Sequence, residues 1–260
     1  MKTTYRIAIA ELRSLFCSPV AWLILVIFAV QVGVAFGNAF DRQVQGQALG
    51  YTLWDVTASI FTGWMGIFPG FLRNLYLYIP LLTMGLMSRE YSSGSIKLLF
   101  SSPISSLQII LGKYFSMLIY GLIMMGSVLV LVVVAFFSIK DFDLSLVLSG
   151  WLGLYLLMAT YAAIGLFMST LTSYQIIAAL GTLTFISFLN FIGSLWQHIE
   201  GVREVMYWYS LKGRPDESIR GLICSEDILY FILVSRMFLG FSVLKLQFAR
   251  RSCSMSVKVG

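Results

Sequence analysis

His198 is the only histidine in the chain, and no serine or cysteine has a base at a spacing that would make it a nucleophile. Acid–base and covalent catalysis therefore lack their parts. Cys17, Cys224 and Cys253 are far apart and follow no metal or redox spacing, so they are expected to serve packing. Gly112-Lys113 is the closest approach to a phosphate-binding loop, but Tyr114 follows it and no Gly-x-x-x-x-Gly-Lys-[Ser/Thr] occurs. The chain has no cradle of its own for ATP. One charge, Arg236, stands in an otherwise apolar run, about 12 Å from its start at about 1.5 Å per residue. With no acidic partner in that run it cannot relay protons near neutral pH. It is expected to face the protein interior and to donate to carbonyls or to hydroxyls such as Tyr230 or Ser235.

The chemistry that remains is recognition, and it concentrates between Ser88 and Pro103, a polar segment lying between two long apolar runs. Ile96, Leu99, Phe100 and Pro103 recur at helical spacing, Ser93 or Ser95 can cap the start, and Pro103 marks the end. A short helix with one apolar face is expected at a membrane surface. It could rest on lipid headgroups or dock on another protein. A second set of polar residues lies inside apolar runs: Tyr76, Tyr78 and Thr83, then Thr182, Thr184, Ser187 and Asn190. These either join helices by hydrogen bonds or line a conduit.

The elements that must position these residues follow from composition. With 58% hydrophobic and 12% charged residues and a mean hydropathy of +0.86, the chain departs far from soluble domains. An all-α integral membrane protein is expected, one domain over residues 1–260. Residues 2–16 read as a cationic interfacial helix, with Tyr5, Ile9, Leu12 and Phe16 on one stripe and Lys2, Arg6 and Arg13 elsewhere. Spans of about 20 residues are expected at about 18–40, 70–87, 113–139, 146–169, 176–195 and 228–246. The first of these apolar runs is longer than the core of a signal peptide, which favours a membrane anchor. Gly63, Gly66, Pro69 and Gly70 interrupt the approach to the second, and Thr170 to Gln175 forms the turn between the fourth and fifth. Residues 200–227 read as a surface hairpin before the last span, where Ser225 can cap and Glu226 and Asp227 suit the helix dipole.

Charge counting sets the expected orientation. Placing both termini inside gives that side Lys2, Arg6, Arg13, Arg89, Lys97, Lys113, Lys245, Arg250, Arg251 and Lys258 against only Glu11 and Glu90. Acidic residues outnumber basic ones on the other side. The bias places both termini in the cytoplasm of a bacterial inner membrane.

Arg89-Glu90, Gly94-Ser95, Leu98-Leu99, Pro103 and Gly112-Lys113 together resemble the first cytoplasmic loop of ABC-2 type transporter permeases. Lys97 stands where that family usually has an acidic residue. The layout of six spans, interfacial helix and hairpin extends the resemblance over nearly the whole chain. Within the family, Pro-Leu-Leu-Thr-Met at 80–84, Gln-Ile-Ile-Leu-Gly-Lys at 108–113 and Ala-Ile-Gly-Leu-Phe at 163–167 are most similar to the gliding-motility-associated permease subunit of Bacteroidetes-type bacteria.

The resemblance implies a transport subunit that is not itself an enzyme and binds no cofactor. A separate ABC ATPase subunit would carry ATP and Mg, and a second permease protomer would complete the assembly. It further implies a coupling helix made by Glu90, Gly94, Ser95, Ile96, Leu98, Leu99, Phe100 and Pro103, with Ile96, Leu99 and Phe100 as its docking face. Spans two and five would line the conduit. A secondary transporter and a non-transporting scaffold of a motility or secretion complex are the alternatives.

Overall fold

The computed structural model describes residues 2–49, 55–63, 66–139, 142–192 and 225–259. Every regular element among them is a helix: α1 (Lys2–Phe16), α2 (Pro19–Ala48), α3 (Val56–Phe61), α4 (Ile67–Thr83), α5 (Gly85–Ser92), α6 (Ile96–Ser101), α7 (Ser106–Ser138), α8 (Leu144–Leu171), α9 (Gln175–Ile192) and α10 (Ser225–Val259). Four carry stretches long and apolar enough to cross a membrane, namely α2, α7, α8 and α10. The fifth apolar helix, α9, is shorter. The 17-residue α4 is prolonged by α5 after a break at Met84. The surface hairpin expected before the last span lies largely outside the described residues.

At the centre stands α8, which packs against α4, α5, α7, α9 and α10. Its sequence explains why neighbours surround it. Small residues, Gly150, Ala159, Ala162, Ala163 and Gly165, let other helices approach closely, as membrane helices require where no water drives them together. A Cβ on Gly165 would lie 2.1 Å from Thr83 Oγ1, so only glycine admits α4 there. Tyr161, Leu154, Leu157 and Ile164 are buried around this axis.

The break between α4 and α5 has a local cause. Pro80 removes one amide from the helical ladder, and the Thr83 hydroxyl bonds back to the Ile79 carbonyl at 2.8 Å. Beyond the break, the hydroxyl of Ser169 on α8 holds the first turn of α5. It accepts from the backbone N–H of Met87 (2.9 Å) and Ser88 (3.1 Å) and donates to the Met84 carbonyl (3.0 Å). The interrupted backbone is thus satisfied from a neighbouring helix.

Several boundaries move relative to the sequence reading, each for a physical reason. The helix expected as the second span starts earlier, at Ile67, because Pro69 falls in the first turn, where a missing amide costs nothing. The third helix begins at Ser106, opened by a capping box. Ser105 Oγ accepts from the Gln108 N–H, and Gln108 Oε1 accepts from the Ser105 N–H. This buries Lys113 inside the helix rather than leaving it at the end. Asp143 caps α8 by accepting from the N–H of Ser145 (3.0 Å) and Leu146 (3.2 Å). The last helix runs well past residue 246.

The helix expected to lie at the interface, α1, presents a different face from the one expected. Ala8 is buried, and Ile7, Leu12, Leu15 and Phe16 pack on the core, whereas Tyr5 and Ile9 are exposed. The reason is Gly112 on α7, where a Cβ would meet Ile7 Cγ2 at 2.6 Å. Ile7 fills the space that the missing side chain leaves. Cys17, expected to serve packing, is exposed. Cys224 and the side chain of Cys253 lie outside the described residues, as does His198.

Candidate functional site

The recognition segment is fixed to the rest of the chain from three directions. On α7, Lys113 is only 2% exposed, and its ammonium meets Glu11 Oε1 of α1 at 2.5 Å and Glu90 Oε1 of α5 at 2.7 Å. Both carboxylates are about one-fifth exposed, so water shares their charge while the cation is dry. The buried ammonium is matched by either carboxylate, while the two carboxylates share one cation and Glu90 Oε2 is buried without a hydrogen-bond partner. Ser169 holds the start of α5 from the second direction.

The third comes from the far end of the sequence. Arg250 on α10 donates from Nη1 to the Ile104 carbonyl (2.8 Å), and from Nη2 to the carbonyls of Phe100 (2.9 Å) and Ser102 (2.8 Å). These are carbonyls at and just beyond the C-terminal end of α6, where a helix leaves acceptors unpaired and its dipole is negative. One guanidinium thus caps α6 and ties it to the last membrane helix. The sequence reading counted Arg250 only as an inside charge. Its partners are backbone atoms, which leave no residue pattern to find.

Between these anchors the chain turns at Gly94, whose φ of 72° lies in the left-handed region that glycine adopts without steric cost. No side chain caps the start of α6. The hydroxyls of Ser93 and Ser95 bond to each other at 2.8 Å instead. The amphipathic face also turns the other way from the expected one. Ile96 is buried in the core, and Leu99 and Phe100 pack against it. Of the three residues expected to form a docking face, Ile96 is turned into the bundle, while Leu99 and Phe100 pack on its edge and stay partly exposed. Leu98, at 76% exposure, and the exposed Lys97 point outward. Glu90 stays on α5 as a ligand of Lys113, and Pro103 is exposed after α6.

The expected conduit residues divide. Tyr76 of α4 stacks on Tyr161 of α8 with ring centroids 6.2 Å apart. Asn190 of α9 donates to the same Tyr161 hydroxyl (3.3 Å) and to the Ile186 carbonyl (2.8 Å). The two spans thus meet through a residue of a third. Thr83 and Thr182 are fully buried and bond to carbonyls of their own helices. Tyr78 donates to Gln31 of α2. Thr184 and Ser187 are exposed. Arg236, expected to face inward, lies on the exposed side of α10. Its neighbour Ser235 is the buried one, bonded to Thr160 Oγ1 at 3.2 Å.

Helices long enough to span a bilayer, packed through small residues and joined by a charged cluster at one end, define a multi-pass membrane protein. A family model described as "ABC-2 family transporter protein" matches residues 5–202, most of the chain, and the protein belongs to that family. No curated protein matches it.

Proposed function

We propose that this chain is the membrane-spanning permease subunit of an ABC transporter, driven by ATP hydrolysis in a separate ATPase subunit that docks on α6 and the turn before it. The observation that supports this most is the treatment of that six-residue helix. Arg250 and the Ile96 face tie it to the bundle, the adjoining α5 is held by Lys113 and Ser169, and Leu98 projects outward. A helix that only rested on lipid would present its apolar face to the membrane and would not need anchoring to α5, α7, α8 and α10. In this reading α4 with α5, and α9, complete six crossings together with the four longer helices. Both termini face the cytoplasm, and two permease protomers associate with two ATPase subunits. The likeness to gliding-motility permeases of Bacteroidetes-type bacteria, in an inner membrane, rests on the three short sequence matches.

Co-purification from membranes followed by reconstitution tests the proposal. An ATP-binding protein should be recovered with the chain, and vesicles containing both should hydrolyse ATP faster when substrate is present. Transport by this chain alone, driven by an ion gradient, would establish a secondary transporter instead. A recovered partner whose hydrolysis no substrate stimulates would support a scaffold.

A further inference from the structure

Arg236 stands in the 27-residue stretch Ser225–Arg251 of α10, which is apolar enough to cross a membrane, and lies close to its middle. In a hydrocarbon layer about 30 Å thick, with a rise of about 1.5 Å per residue, the nearer headgroups are then about 12 Å away along the helix. That is farther than the side chain can snorkel. The charge is also turned away from the bundle. Phe231, Ser235, Phe238 and Ser242 form the buried side of α10, whereas Arg236 is exposed beside Leu233 and Met237. The Ser235 hydroxyl donates inward to Thr160 Oγ1. Among the described residues, none bonds to Arg236 or pairs with it.

The surface around this charge suits a helix and not a water-filled path. Leu229, Leu233, Met237, Leu244 and Phe248 are exposed along the same side, and the inward-facing Ser235 is the one polar residue within four positions of Arg236. An aqueous path would carry more than one polar group. One turn further on, Gly240 is exposed, and a Cβ there would meet nothing within 4 Å. A small residue one turn from a charge lets a second helix approach closely enough for a short side chain to reach the guanidinium.

From this placement we infer that the outer face of α10 binds a membrane-spanning helix of a different protein, one that carries Asp or Glu at the depth of Arg236. Charge selects the occupant. A cation at this depth is costly without a compensating group, and a carboxylate matches a guanidinium in both charge and fork geometry. A second copy of this chain has none to offer, since no Asp or Glu occurs at 20–40, 67–89, 106–138, 144–192 or 228–251. Two copies meeting across this face would set Arg236 against Arg236. A lipid presents only acyl chains here. The inference goes beyond the permease reading and stands without it, because it concerns one face of this chain.

The test uses the purified full chain in phosphatidylcholine vesicles, without any ATPase, so that its failure is separate from failure of the permease reading. The probe is a synthetic Leu-Ala membrane helix, labelled for energy transfer, with Asp at its centre, Leu at its centre, or Asp near one end. Central Asp should tighten association about tenfold over central Leu, as one charge-assisted hydrogen bond allows. Asp near the end should give no such gain. R236L should remove the preference, and G240L, which adds its side chain into open space, should weaken binding of the central-Asp probe. Equal association of the Asp and Leu probes, a preference that survives R236L, or binding that G240L leaves unchanged would overturn the inference. Tighter binding of the end-placed Asp would overturn it in favour of a guanidinium that snorkels to the headgroups. Self-association of the parent chain that R236L abolishes would overturn it in favour of a second copy on this face.

Discussion

The two ends of this bundle use polar residues in opposite ways. Near α6, the bonds join elements remote in sequence: Glu11 and Glu90 with Lys113, Ser169 with Met87 and Ser88, and Arg250 with Phe100, Ser102 and Ile104. In the groove of about 730 Å3 that opens between α2 and α4, Arg42 and Asn74 bond to carbonyls four residues back on their own helices, and Tyr78 with Gln31 is a bond that crosses. The first end is fixed by its polar groups, while the second keeps side chains on a solvent-accessible wall.

Breaking the fixed end at its buried charge should have the largest effect. K113M leaves Glu11 and Glu90 facing each other without a cation, and loss of one partner from a buried ionic cluster costs about 3 kcal/mol. Unfolding in mixed detergent micelles should show that loss, and α1 should become accessible to protease. Unchanged unfolding would mean that water, not Lys113, satisfies the two carboxylates.

A smaller effect is expected from R250Q, which removes charge-assisted bonds to three carbonyls. The loss should be about 2 kcal/mol, since the half-buried site lets water replace some of them. Hydrogen exchange should rise in residues 96–104 and remain unchanged in α8. A uniform rise would show a general loss of stability instead of a local clamp.

The smallest effect concerns Asp143, at the exposed start of α8. Its carboxyl is held below its ordinary pKa first by the Leu146 backbone N–H and then by the Ser145 hydroxyl. A lowered folded pKa contributes stability that is complete above the ordinary carboxylate value of about 3.9 and is lost as pH falls through the folded value. D143N keeps an oxygen to cap the helix but cannot titrate. The parent should be the more stable of the two near neutrality, and the difference should vanish in acid as Asp143 takes up its proton. Unfolding profiles that coincide at every pH would remove Asp143 from the account.

Much of the architecture was legible because bilayer thickness leaves a long periodic signal. The starts of α1, α2 and α8 agree with the sequence reading to within about two residues, and the turn between α8 and α9 falls where Thr172 to Tyr174 stand. The faces were harder to read. Ile96, Leu99 and Phe100 form an apolar stripe, but a stripe does not say whether a partner or the chain's own bundle covers it. Tyr5 and Ile9 misled in the same way, since the face that α1 buries is chosen by Gly112 on α7, more than a hundred residues away. The Lys113 cluster was visible only as three charges on one side, and the Arg250 clamp not at all. Gln31, Asn38, Arg42 and Gln45 recur at helical spacing on α2, but that spacing does not say that Arg73 and Asn74 of α4 face them across a groove.

The central claim is that α6 is a docking element whose inner face belongs to the bundle and whose outer face belongs to an ATPase. The most direct measurement is ATPase retention on the purified L98D variant. Leu98 is 76% exposed and touches no buried core, so the substitution leaves folding intact. Loss of a well-packed interface anchor costs about 2 kcal/mol or more, which weakens binding about thirtyfold. The account predicts that L98D reaches the membrane at normal levels, unfolds like the parent and loses the ATPase on purification. Full ATPase retention with normal substrate-stimulated hydrolysis would contradict it.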